Sequence, residues 1–166
     1  MAPFGSGKDA KTCRLQVITL DHVIEGTAEM SGRNLAYYTL LTDVTMRSAN
    51  PSARVAPPGS TLAIGENTRA IVGIVPLDDA AREDLLKRAS TGDHELPIEV
   101  YTGPYVVRGT VLGFDADPKV LVQASALAVR DAEIESIAPG SALGTWQVPF
   151  VLLYMSQLQG LVLTAA

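Results

Sequence analysis

The feature that most constrains the fold is an internal echo. The run Val17-Ile18-Thr19-Leu20-Asp21-His22-Val23-Ile24-Glu25-Gly26-Thr27 returns as Val100-Tyr101-Thr102-Gly103-Pro104-Tyr105-Val106-Val107-Arg108-Gly109-Thr110. Val, Thr, Val, Gly and Thr recur there at an offset of 83 residues. A second block, Leu41 to Ser48, returns as Val129 to Ser136 at an offset of 88, with Asp43 matched to Asp131. The second copy therefore carries five extra residues between the blocks, placed near Asp115-Ala116-Asp117-Pro118, a turn-forming composition. Held at 88, the offset lays Ser60–Val75 over Val148–Leu163, with Leu62 on Phe150, Ile64 on Leu152 and Ile74 on Val162. Repeated order at a nearly constant offset reads as one unit written twice.

Each copy reads as strands. Leu15, Val17 and Thr19 alternate with Gln16, Ile18 and Leu20, and Asp21-His22 and Gly103-Pro104 sit where tight hairpin turns belong. The second strands, Val23–Met30 and Tyr105–Phe114, each hold a central glycine, which inside a strand marks a bulge or bend. Third strands follow in Tyr38–Arg47 and Val120–Ile134, then exposed loops over Ala49–Ser60 and Ala138–Thr145. Thr61–Val75 and Pro149–Leu163 read as closing hairpins that turn near Gly65-Glu66-Asn67 and Met155-Ser156-Gln157. One helix is expected, with Asp78 and Asp79 at its N-terminus, Gly92 as its stop, and Leu77, Ala81, Leu85 and Ala89 on a stripe that packs across the seam between copies. The expected fold is mostly β: two tandem small curled β-sheets or barrels of similar topology joined by one short helix. Its parts are a flexible tail at 1–12, a first β repeat at 13–76, a linker with the helix at 77–95 and a second β repeat at 96–166.

Composition narrows the function classes. A hydrophobic share of 47% is ample for a core, whereas charged residues make up only 19%, below the roughly 25% usual in soluble domains. So little charge hints at surface hidden against partners. Net charge is −5, and Lys87-Arg88 is the only adjacent basic pair, which argues against nucleic acid because phosphate binding needs a basic face. The lone Cys13 allows no disulfide within the chain, and His22 and His94 lack metal-ligand spacing, so neither metal nor cofactor is expected. Met1–Thr12 lacks the apolar run of a signal peptide, and Val148–Leu163 is too short and too interrupted to span a bilayer. The expected location is cytoplasmic.

Catalytic constellations are not visible. Asp21 and His22 are neighbours that point to opposite faces of a strand, and His94 reads as a linker residue. Asp115 and Asp117 read as a turn, and Gly5-Ser6-Gly7-Lys8 lacks the strand and spacing of a phosphate loop. Four residues stand out as interface or structural anchors. Trp146 borders the closing hairpin of the second copy, Tyr105 opens its second strand, and Asp43 and Asp131 hold matched places suited to an Asx-type anchor of loop backbone.

Two resemblances follow from these residues. Val17–Thr27, Leu40-Leu41-Thr42-Asp43-Val44 and an apolar closing segment resemble a family of small bacterial all-β domains of unknown function. Val129–Ile134 with Val148–Leu153 is similar to the same family, which implies a tandem pair and no particular activity. More weakly, Gly109-Thr110-Val111-Leu112-Gly113-Phe114-Asp115 is similar to the first motif of Sm-like barrels, and Ile64-Gly65-Glu66-Asn67 to the second. Ile64 replaces the motif's arginine and Lys119 stands near the place of its RNA-contacting asparagine, so the resemblance implies a barrel relative without RNA chemistry. The function expected is a non-catalytic interaction or scaffold component of a larger assembly, with protein partners or self-association. The rival readings are an Sm-like nucleic-acid binder and an enzyme or small-ligand site at the seam.

Overall fold

The computed structural model describes residues 11–30, 40–64, 70–89, 91–113 and 115–164. The first half contributes β1 (Lys11–Thr19), β2 (His22–Met30), β3 (Leu40–Ser48), β4 (Ser60–Ala63) and β5 (Ile71–Pro76). Helix α1 (Asp79–Leu86) follows, then β6 (His94–Thr102), β7 (Tyr105–Gly113), a one-turn helix α2 (Pro118–Leu121), β8 (Ala126–Ser136), β9 (Thr145–Tyr154) and β10 (Leu158–Leu163). All described strand pairs are antiparallel. The protein is mostly β, as its alternation predicts.

The sheet architecture corrects the expectation of two separate sheets or barrels. All ten strands belong to one sheet, in the order β10-β6-β7-β8-β9-β5-β1-β2-β3-β4, and it is not closed into a barrel. In each half the last strand leads and the first, second, third and fourth follow. The halves join where β9 pairs with β5, through Gly73 opposite Leu153 and Ile74 opposite Leu152. The closing hairpins do not form either. β4 pairs with β3 and β5 with β1, while β9 pairs with β8 and β10 with β6. Ile71–Val75 and Phe150–Leu153 are continuous apolar runs, the mark of strands covered on both faces, so they recruit central partners rather than the nearest strand in sequence.

Both halves bend by the same device. Pairing slips between Glu25 and Thr27 on β2, opposite the Thr42–Thr45 stretch of β3, and between Arg108 and Thr110 on β7, opposite Arg130–Glu133 of β8. Opposite the two slips, Asp43 (φ 52°) and Asp131 (φ 49°) take the left-handed conformation. Short polar aspartate tolerates it better than most residues. Gly26 and Gly109 fill the facing positions, where room for a side chain is tight at 26 and lacking at 109. A Cβ on Gly26 would lie 3.1 Å from Leu41 Cβ, and one on Gly109 would lie 2.6 Å from Val129 Cγ1 and 2.7 Å from the Arg130 carbonyl oxygen.

The halves share their core. One cluster gathers Val100, Tyr105, Val107, Val129, Ile134 and Val151 with Ile18, Val23, Val72 and Val75 from the first half. The other gathers Leu15, Val17, Leu41, Val44 and Ile74 with Ala126, Ala128, Phe150 and Leu152 from the second. Neighbouring side chains of β9 thus feed different clusters, which makes the seam continuous.

Helix α1 ends at Leu86, short of Gly92. Its start is fixed by Asp78, whose Oδ1 accepts the Ala81 N–H (2.9 Å) and whose Oδ2 accepts the Arg14 N–H (2.8 Å). One carboxylate therefore caps the helix and ties it to β1. Of the expected stripe, Ala81 and Leu85 are buried while Leu77 is exposed, and the helix packs on β1 and β5. The 115–118 stretch lies between β7 and β8, where Asp115 accepts the Asp117 N–H (3.0 Å) and Asp117 caps α2 at Lys119 (2.9 Å).

Candidate functional site

The seam is the place where sequence-expected residues meet. Tyr105, at the start of β7, is fully buried, and its hydroxyl donates to the Thr19 carbonyl of β1 at 2.8 Å. Burial raises its phenol well above the ordinary value, with the Asp21 charge adding to the effect, so the proton stays on at any physiological pH. Trp146, on β9, meets the Tyr105 ring edge-on with centroids 6.3 Å apart. Its indole N–H donates to Gln16 Oε1 at 3.2 Å, and Gln16 donates in turn to Glu25 Oε1 at 3.0 Å. Two aromatic residues of the second half thus hydrogen-bond to β1 of the first. Gln16 and Thr19 belong to no motif in the sequence, although an amide inside the apolar run Leu15-Gln16-Val17-Ile18 is the signal that marks such a site.

Asp43 and Asp131 lie away from the seam and away from each other's half. Both are exposed, and each takes the left-handed backbone conformation at its bulge. His22 opens β2, and its ring nitrogen donates to the Arg54 carbonyl at 2.7 Å, fastening the 49–60 loop. His94 opens β6 on the surface.

The main charged cluster is on β6, β7 and β8 of the second half. Arg108 reaches Glu99 (2.7 Å), Glu135 (2.8 Å) and Glu133 (3.3 Å), while the Tyr101 hydroxyl donates to Glu99. The Tyr101 and Arg108 hydrogen bonds hold the Glu99 carboxyl below its ordinary range, and Glu135 and Glu99 push the Arg108 guanidinium higher still. One arginine is shared among three carboxylates on an exposed sheet face, and every group is occupied by its neighbours. Cys13 is buried beneath α1, and burial, with Asp78 and Asp84, pushes its thiol up to about 11. At neutral pH it is a packed, protonated side chain. A small open groove of about 170 Å³ beside α1 is lined by Pro76, Asp78, Asp79, Arg82, Pro149 and Phe150, and Asp78 there is already committed to the helix cap.

Among the described residues there is no group of three or more His, Cys, Asp or Glu side chains placed to hold a metal ion, and no helix is long and apolar enough to cross a membrane. Of the residues similar to Sm motifs, Gly65-Glu66-Asn67 and Phe114 lie outside the described residues, as does Tyr38 at the expected start of the third strand. Ile64 is buried and Gly109 faces the β8 backbone. Compared with protein-family models, with curated proteins and with solved structures, the chain matches none of them.

The remaining distinctive surfaces are the two ends of the sheet. Among the described residues, β10 and β4 each pair on one side only, with β6 and β3 respectively. Neither carries a charged residue or a proline (Leu158-Gln159-Gly160-Leu161-Val162-Leu163 and Ser60-Thr61-Leu62-Ala63).

Proposed function

We propose that this chain is a non-catalytic structural module, a component of a larger assembly that works through its sheet edges. On this reading the two halves are two copies of one small β unit, and the β9–β5 seam is the contact by which such units are joined. The observation that carries it is the pair of open, uncharged edges at the ends of the sheet. Edge strands offer unpaired N–H and C=O groups, and proteins that remain single usually blunt them with charge, proline, a bulge or shortness; both edges lack charge and proline, although pairing slips between Leu158 and Gly160 on β10 and β4 is only four residues long. The polar residues at the seam also fit the reading, since Tyr105, Trp146 and Gln16 are spent on holding the halves together. The rest of the seam is filled by Ile18, Val72, Val75, Phe150 and Leu152, which give a reactant little to bind.

Size analysis tests this directly. In an extract of its native host the chain should migrate in a complex well above its own 17.5 kDa. Migration as a single chain in the extract would remove the proposal.

A further inference from the structure

Resting on that reading, we infer that the chain assembles head to tail with further copies of itself, β4 of one copy pairing with β10 of the next in the register that joins β9 to β5 within the chain.

The strand order supplies the geometry. Each half runs from its last strand to its fourth, so joining two halves uses the fourth strand of one and the last strand of the other. That contact is made once, by β9 and β5, and leaves the same two kinds of strand free, β10 and β4. Pairing positions make the equivalence residue by residue. Val75 sits opposite Gln16 as Val162 sits opposite Glu99, and Gly73 opposite Ile18 as Gly160 opposite Tyr101. Leu62 lies opposite Leu41 as Val151 lies opposite Val129, so Ala63 corresponds to Leu152 and Ile64 to Leu153. Transferring the pairs Gly73–Leu153 and Ile74–Leu152 to the free edges places Gly160 opposite Ile64 and Leu161 opposite Ala63 of the neighbouring copy.

Exposure at matched positions shows what the free edges lack. Val75 is 1% exposed and Val162 48%; Ile18 is 1% exposed and Tyr101 37%. At the other end Ala128 is 5% exposed and its counterpart Leu40 53%. Residues of interior type therefore stand in solvent at both ends, at the places a neighbouring unit covers at the seam. The contact uses different surfaces on the two partners, so it leaves two free ends after each addition. The product is a ring or an open run of copies and does not stop at two.

Sedimentation velocity of the purified full chain across a wide concentration series tests the inference, together with Val162→Lys and Gln159→Lys. Both sites are exposed, so both variants should keep the parent thermal midpoint, and Gln159 corresponds to the buried Val72. The parent should grow past two chains as concentration rises, and each lysine should weaken that growth by about 100-fold or more, because it would bury an unpaired charge. Ala63→Cys mixed with Leu161→Cys should form a disulfide between unlike variants, since opposed antiparallel residues lie within bridging distance. Assembly that ends at a dimer, that ignores both lysines, or that crosslinks only like with like overturns the inference. A purified chain that stays single while migrating in a large complex in host extract overturns self-association and leaves the module reading standing; single in both, the two fall together.

Discussion

Adding one methyl group at each of the two bulges should have very different consequences. Gly26 and Gly109 occupy matched positions, yet the space around them differs. An alanine Cβ at 109 would lie 2.6 Å from Val129 Cγ1, 2.7 Å from the Arg130 carbonyl oxygen and 3.2 Å from Ala132 Cα. The carbonyl belongs to a paired central strand, so relief requires moving β8 backbone by several tenths of an ångström. Overpacking of this kind costs about 1–3 kcal/mol, against which alanine recovers about 0.4–1 kcal/mol from the unfolded chain. At 26 the contacts are 3.1 Å to Leu41 Cβ, 3.2 Å to the Thr42 oxygen and 3.2 Å to Val44 Cγ2. Small adjustments suffice there, and the unfolded-state gain offsets most of the cost. Gly109→Ala should therefore destabilise by about 2 kcal/mol net and Gly26→Ala by under about 1 kcal/mol. In a chain of this length that lowers the thermal midpoint by about 4–8 °C for the first and by less than about 4 °C for the second. Urea unfolding followed by Trp146 fluorescence, with thermal melts by circular dichroism, measures both. The shared core predicts one transition in each case. Equal losses, or a larger loss for Gly26→Ala, would show that local space does not set the cost.

Three further outcomes are expected. Because the Cys13 thiol titrates near 11 when folded and near 9.0 otherwise, its contribution is complete below pH 9 and is lost as pH rises toward 11; the loss is about 2–3 kcal/mol, and unfolding of Cys13→Ala across the same pH range should show a correspondingly flatter decline. Asp78→Ala removes the acceptor for both the Ala81 and the Arg14 N–H and should cost about 1–3 kcal/mol in urea unfolding; no loss would dismiss the double cap. Thr19 and Thr102 hold matched places, but Thr19 Oγ1 accepts the His22 N–H at 3.0 Å, whereas the buried Thr102 Oγ1 has no hydrogen-bond partner among the described residues. Thr19→Val should therefore destabilise by about 1 kcal/mol and Thr102→Val should be neutral or stabilising, a difference in sign that paired thermal melts resolve.

Local features of this fold were legible in the sequence, and long-range pairing was not. Strand alternation, the turn at Gly103-Pro104, the Asp78 cap and the glycines of the bulges are all written within a few residues of where they act, while the first turn falls on Leu20-Asp21, one residue before the expected Asp21-His22, with His22 already in β2. The partners of β5 and β9 are not. Ile71–Val75 and Phe150–Leu153 are apolar at nearly every position, so a period of two carries no information on face or register. Nearness in sequence then favours a hairpin that the structure replaces with a central junction. The constant offset of 88 fails for the same reason: pairing positions match Leu62 to Val151 and Val75 to Val162, offsets of 89 and 87. Trp146 and Tyr105 stand out because large aromatics are rare here, while Gln16 and Thr19, whose oxygens accept their hydrogen bonds, are common residues brought to them only once the halves meet.

The pairing of β9 with β5 is what joins the two halves, and cross-strand Hα and amide-proton contacts measured by NMR on the full chain report on it. Val162→Lys serves as the sample, since it is expected to remain a single chain. Ile74 should contact Leu152 and Gly73 should contact Leu153, one pair through Hα–Hα and the other through amide protons, together with exchange-labile outward amides on β4 and β10. Contacts of β5 with β4 and of β10 with β9 would contradict it, because each half would then close on itself and leave no edge to share.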